Sequence, residues 1–172
     1  SPDSKWLAAS GYFYHYEKEE SMNSICLFDF ATGKIVMTIK AHTASIYDIK
    51  FTPDGRFLVS CSSDKTIKVW DSQNDFNLYT SFDSSEKSPR QMAILQRNDD
   101  YEILTVNYDE NLYQYRILSK EAQVVYQHTE AFRFDCIGIS KDYILIYDKG
   151  SLSFVTLDYN FHFVSAPGAS TS

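Results

Sequence analysis

Short runs of apolar residues alternate with polar ones along most of the chain, and turn signals separate the runs. The clearest stretch is residues 41–71, AHTASIYDIKFTPDGRFLVSCSSDKTIKVWD. Ile46, Ile49 and Phe51 mark one strand, Phe57 and Val59 a second, Ile67 and Val69 a third. Thr52-Pro53-Asp54-Gly55 separates the first two, with Pro presetting one φ and Gly supplying a positive one. Ser63-Asp64-Lys65 is a second tight turn, and Trp70-Asp71 closes the stretch. Strand-length runs with turns every 8–12 residues, and no amphipathic helical period, predict an all-β fold.

The pattern repeats. Ser1-Pro2-Asp3-Ser4-Lys5-Trp6-Leu7 matches Thr52-Pro53-Asp54-Gly55-Arg56-Phe57-Leu58 in register. Internal repetition at roughly 40–50 residues marks a propeller or array, which outweighs the competing β-sandwich. The first unit, residues 1–40, lacks its first strand; its strands are predicted over 6–10, 25–29 and 35–39. Between the first two lies GYFYHYEKEESMN, residues 11–23, read as a long hairpin with a charged tip at residues 17–20. The second unit, 41–82, is closed by a strand over 76–82. The third, 83–127, has a polar loop over 83–89 and strands over 92–95, 101–106 and 124–126. Asp109 precedes Tyr115 at the spacing by which Asp64 precedes Trp70. The fourth, 128–165, is read as strands over 134–139, 143–147, 152–157 and 161–164, with a turn at Asp148-Lys149-Gly150. Gln127-His128-Thr129 echoes Ala41-His42-Thr43. Residues 166–172 read as a flexible tail or linker. The chain opens without Met, in mid-pattern, as a piece of something longer.

Composition narrows the function. Aromatic content is 16%, mostly Tyr and Phe, which favour strands. The net charge of −7 is spread evenly, with no basic face for a nucleic-acid backbone. Cys26, Cys61 and Cys136 are far apart, without metal-ligand spacing, and read as buried small hydrophobes in a reducing compartment. No apolar run reaches the ~20 residues of a membrane helix. G-x-G-x-x-G, H-E-x-x-H and G-x-S-x-G are all absent, so no catalytic residue, metal or cofactor is expected.

Residues 41–71 resemble one unit of the WD-repeat family, and the flanking units resemble divergent copies. The resemblance implies a β-propeller of about four consecutive four-stranded blades, part of a larger, seven-bladed ring. The other blades would come from the rest of the chain or from a partner. It also implies a structural hydrogen-bond network on His42, Ser60 or Ser62, Asp64 and Trp70. A buried imidazole, indole and carboxylate each need partners, so this reading explains all these residues together where a catalytic His–Asp–Ser does not. The network is expected to be complete in the second blade only: the third lacks the His, the first lacks the turn Asp, and the fourth has Phe154 near the Trp position.

The resemblance implies a non-enzymatic, intracellular, eukaryotic protein–protein interaction scaffold within a multiprotein complex. Its contact positions on the entry loops fall at Ser45 and Tyr47, and at Arg133 and Asp135. The aromatic insertion around Tyr12, Tyr14 and Tyr16 is a second candidate surface, since exposed aromatics are costly unless covered. The alternatives are a structural subunit of a large ciliary, nuclear or ribosome-assembly complex, and a phosphoinositide-binding propeller. The latter's Phe-Arg-Arg-Gly signature is only faintly echoed at residues 131–136.

Overall fold

The computed structural model describes residues 1–15, 20–84, 87–97, 99–109, 111–126, 136–139, 143–148 and 151–156. For residues 12–15, 20–22, 125, 126 and those beyond, it describes the backbone alone. All described secondary structure is β. Among the described residues, fourteen strands form four antiparallel sheets in chain order. The first sheet holds β1 (Trp6–His15), β2 (Glu20–Asp29) and β3 (Ile35–His42). The second holds β4 (Ile46–Phe51), β5 (Phe57–Ser62), β6 (Thr66–Asp71) and β7 (Asn77–Asp83). The third holds β8 (Pro89–Arg97), β9 (Asp100–Asn107), β10 (Leu112–Arg116) and β11 (Ala122–Tyr126). The fourth holds β12 (Cys136–Ile139), β13 (Tyr143–Asp148) and β14 (Ser151–Thr156). Each sheet is an up-and-down meander, and successive sheets meet near their first strands: β1 on β4, β4 on β8, β8 on β12. This is radial stacking of blades.

The first sheet has three strands, without the inner strand that β4 and β8 supply to theirs, as the sequence pattern implied. The strand expected over 161–164, the turn residues Lys149 and Gly150, and the tail over 166–172 lie outside the described residues. So does His128. The hairpin over residues 11–23 is present, paired from Trp6↔Asp29 to His15↔Glu20, with its tip, 16–19, outside the described residues. Boundaries differ from expectation in places: β8 spans Pro89–Arg97 where 92–95 was expected, β3 runs on to His42, and β7 starts at Asn77, because Asp75 and Phe76 take positive φ angles of 50° and 51° in the preceding turn.

Burial follows the pleat. Phe57, Val59 and Cys61 of β5 point one way, into a core shared with Met92, Tyr101, Ile103, Tyr113 and Tyr115 of the third sheet. Leu58 points the other way, with Trp70, into a core shared with Ile25, Leu27 and Ala41 of the first. Every residue of β5 is buried, as expected for a strand sandwiched between two sheets. Hence apolar residues recur on both parities here, and the second blade carries the clearest signal.

Turns reproduce the repeat in geometry. Gly55 has φ 76° and its N–H donates to Thr52 O at 2.8 Å. Ser4, at the matching position, has φ 58° and donates to Ser1 O at 3.0 Å. The lower rim, which carries these turns, is tied across blades by Tyr101 Oη donating to Asp54 Oδ2 at 2.5 Å. The upper rim carries the β3–β4, β5–β6 and β9–β10 connections. The end of the β1–β2 hairpin projects from that same rim, since β2 pairs Asn23 with His42 at the upper end of β3.

Candidate interaction site

Just beneath the upper rim, four side chains form a continuous chain. Trp70 Nε1 donates to Ser60 Oγ at 3.0 Å. Ser60 Oγ lies 2.7 Å from His42 Nε2, and His42 Nδ1 lies 2.9 Å from Asp64 Oδ2. An ionised carboxylate can only accept, so His42 carries its hydrogen on Nδ1 and donates it to Asp64; His42 Nε2 then accepts from the Ser60 hydroxyl, whose oxygen accepts the Trp70 N–H. Thr66 Oγ1 and the Thr43 N–H donate to Asp64 at 2.7 and 3.1 Å. Ser62 stands apart from the chain: its hydroxyl donates to Ala44 O at 3.0 Å and accepts from Asp64 N at 3.1 Å. Burial pushes the His42 imidazole below its ordinary 6.5, against the opposing pull of Asp64, so the ring is neutral at pH 7. Burial also pushes the Asp64 carboxyl up, but its hydrogen bond from Thr66, the nearby His42 and the Thr43 N–H outweigh that and bring it to about 2.

The order Ser–His–Asp looks like a hydrolytic triad, and the surroundings rule against that use. Ser60 is fully buried and its oxygen already accepts the Trp70 N–H. A nucleophile needs an approach path and an oxyanion donor beside it, and Ser60 has its neighbours packed on every side. The arrangement braces the β3–β4 connection against β5 and β6, and Lys68 Nζ adds a bond to Ala41 O at 2.6 Å.

In the third blade, the Asp109 carboxylate receives Tyr113 Oη at 2.6 Å, where Asp64 received histidine. Thr105 Oγ1 donates to Asn107 Oδ1 at 2.9 Å, both beside the buried Tyr115 hydroxyl. A phenol in place of the imidazole was missed from sequence; its signal was Tyr113, four residues past the turn Asp.

Above this brace lie the candidate contact residues. Ser45 accepts the Ser63 N–H through its carbonyl at 2.9 Å, fixing the β3–β4 connection. Tyr47, at the start of β4, is 42% exposed. Its ring meets that of Tyr108, which is 51% exposed, with centroids 5.7 Å apart at 61°. The structure thus adds Tyr108, on the β9–β10 turn of the next blade, which sequence reasoning did not single out. The backbone of Tyr12 and Tyr14 lies in the β1 end of the hairpin at this rim. Tyr16, Arg133 and Asp135 lie outside the described residues. Among the described residues, no group of three or more His, Cys, Asp or Glu stands close enough to hold a metal. Among the described residues, no helix is long and apolar enough to cross a membrane.

Comparison with known proteins agrees with this architecture. The family model described as WD domain, G-beta repeat matches residues 33–71. That span runs from β3 through β6, so one sequence repeat takes the outer strand of one sheet and three strands of the next. The mouse WD repeat-containing protein 3 is 33% identical over 65% of this chain, which covers 12% of that protein. The WD repeat and SOCS box-containing protein 1 of Xenopus tropicalis is 42% identical over 34% of this chain, covering 14% of that protein. The chain therefore spans a small part of the length of these relatives. Two solved structures share the fold at low identity. The Cps50 (Swd1) beta-propeller domain of Myceliophteria thermophila has a TM-score of 0.77 at 14% identity, covering 96% of this chain and 52% of that one. U3-55K has a TM-score of 0.73 at 12% identity, covering 95% of this chain and 49% of that one. With the blade meanders, the rim brace and these likenesses together, residues 33–71 match a WD repeat and the fold is a β-propeller of WD-repeat type.

Proposed function

We propose that the chain is part of a non-enzymatic platform that holds other proteins within a multiprotein complex, and that it engages them at the upper rim around Tyr47. WD-repeat proteins generally serve as protein-interaction scaffolds. The observation that carries the rim assignment is the Tyr47–Tyr108 pair: two half-exposed rings in contact across a blade boundary, on a rim held rigid from below. Tyrosine offers a large contact area at low entropic cost, which suits an anchor. The positions Tyr12, Tyr14 and Tyr16, and Arg133 and Asp135, expected from the sequence as contact residues, are part of the same proposal. The buried free thiols of Cys26 and Cys61 fit work inside the cell, and burial pushes Cys61 up to about 12, so it is inert.

The test is affinity capture with the full-length protein, wild type against Tyr47→Ala. At least one captured protein is expected to be lost while the thermal midpoint stays unchanged. A captured set identical in the two samples rejects the rim assignment.

A second reading, an architectural subunit held along its sheet faces, draws on a different observation. Leu7, Phe28 and Ile35 line up across β1, β2 and β3 on the face turned away from the second blade. We propose that further blades, from the rest of the chain or from a partner, cover this row.

A further inference from the structure

The β1–β2 hairpin is longer than its counterparts, and the other blades show where the excess begins. Leu7 pairs with Phe28 in the first sheet, as Leu58 does with Trp70 in the second and Ile103 with Tyr115 in the third. The inner strand of the second sheet pairs as far as Ile46↔Ser62, and that of the third as far as Pro89↔Asn107. Counted from Leu58 and Ile103, Ser62 and Asn107 fall at one and the same step, which from Leu7 ends at Gly11. β1 goes on to His15, and it pairs with β2 without a register shift from Trp6↔Asp29 to His15↔Glu20. On the other side of the ribbon, β3 pairs no further than Asn23↔His42. Tyr12–His15 therefore rises above the rim by about 13 Å, at roughly 3.3 Å per residue.

This stretch is a strand edge that an inner strand of the length seen in the next two sheets does not reach. β1 lies at the edge of its sheet, in the order β1-β2-β3. An edge presents unpaired N–H and C=O groups, and proteins blunt such edges with Lys, Pro or a bulge. Tyr12-Phe13-Tyr14-His15 holds neither Lys nor Pro, and its register has no bulge. Its residue types favour strand. The other edge, Glu20–Met22, follows the charged run Glu17-Lys18-Glu19-Glu20. A two-stranded ribbon is marginal in water, and a third strand stabilises it.

A second copy of the chain does not suit this edge. Antiparallel pairing of Tyr12–His15 with itself sends the chain beyond each His15 toward the inner-strand position beside the other copy's Gly11. It also brings together two copies of a chain whose net charge is −7. A single extended segment needs only the width of one strand.

We propose that Tyr12–His15 receives an extended segment of another protein as an added β-strand, held by main-chain hydrogen bonds. Aromatic residues at successive positions of β1 call for β-branched or aromatic residues at successive positions of that segment. This deepens the reading of the upper rim as an interaction surface and rests on it: it names the way a partner is held there.

The test uses the full-length protein and a pool of short synthetic peptides in which Val, Ile, Thr and Tyr are randomised between terminal lysines. A control pool has every interior amide N-methylated, which removes the main-chain donors and keeps the side chains. The unmethylated pool is expected to bind at least about tenfold tighter, the scale of one or two net hydrogen bonds. It is also expected to slow amide exchange at Tyr12–His15, which the methylated pool leaves unchanged. A variant with residues 13–22 replaced by Asn-Gly closes Tyr12 on Asn23 through a two-residue turn. That variant is expected to keep its thermal midpoint and to bind the two pools alike. Equal binding of the pools by the wild type, or protection that falls outside Tyr12–His15, overturns the proposal. So does a shortened variant that still prefers the unmethylated pool. A wild-type dimer in light scattering that the shortened variant loses overturns it in favour of a second copy. If the pools bind alike while Tyr47→Ala still loses captured proteins, the added strand falls and the interaction rim stands.

Discussion

At the scale of single residues, the upper rim depends on buried polar groups that satisfy one another. Ser60 serves two partners, Trp70 and His42. Ser60→Ala leaves an indole N–H and an imidazole nitrogen unpaired in a dry site, a loss of about 1–3 kcal/mol in unfolding free energy. Chemical denaturation reads that directly, and a shift near zero would show that the brace bears little stability. Protonation probes the same chain from the other side. His42 in the folded protein lies below its ordinary 6.5, so the unfolded chain binds the proton more readily. Its contribution is whole above pH 6.5 and is lost as pH falls toward the folded value. Asp64, at about 2 against an ordinary 3.8, contributes fully above pH 3.8 and is lost as pH falls toward 2. Stability measured against pH should therefore decline in two stages on the acid side, and His42→Gln should abolish the upper one. The brace was legible in sequence as a set of residue types at set spacings. The choice between Ser60 and Ser62 was not. Both sit on one face of β5, and only the register, Leu58↔Trp70, decides which hydroxyl the indole reaches.

At the scale of elements, turn geometry shows where the repeat is strong and where it has drifted. Gly55 and Ser4 occupy the same left-handed position in matching turns, with φ 76° and 58°. Glycine adopts that region freely, and serine does so at a cost of about 1–2 kcal/mol. Ser4→Gly should therefore raise stability by up to about 1 kcal/mol, once glycine's greater freedom in the unfolded chain is subtracted. Gly55→Ala should lower it by about 1 kcal/mol, because the backbone is strained for alanine. The added Cβ would stand 3.4 Å from Pro2 Cδ, ordinary contact that adds little. Thermal midpoints of the two variants should move in opposite directions; movement in the same direction would contradict a shared turn. The sequence match of these two turns made the repeat readable. The pairing of Tyr47 with Tyr108 was not readable, because the two belong to different blades and meet only when inner strands β4 and β8 stack. Nor was the substitution of Tyr113 for the histidine partner, since a phenol and an imidazole fill the role at different positions in the chain.

At the scale of the whole molecule, the two faces of the first sheet tell different stories. Ala8, Leu27 and Met37 lie in the core shared with the second blade. On the opposite face Leu7 is 52% exposed and Ile35 60%, with Phe28 between them in register. An apolar row on a sheet whose inner strand is missing is an adhesive surface and an open edge at once. The 172-residue chain on its own should therefore self-associate. Paired substitution Leu7→Glu with Ile35→Glu should shift it toward monomer in light scattering. The same pair in the full-length protein should do the reverse of helping. If another blade covers this row, two carboxylates would be trapped against apolar neighbours, and the full-length protein should lose several kcal/mol of stability, on the order of 3 or more. A pair that leaves full-length stability unchanged would mean that the face meets solvent there. The propeller would then close elsewhere, and the reading of this chain as an architectural piece held along its faces would fall. The rim around Tyr47 would stay unaffected, because the Tyr47–Tyr108 pair stands between the second and third sheets, away from this row.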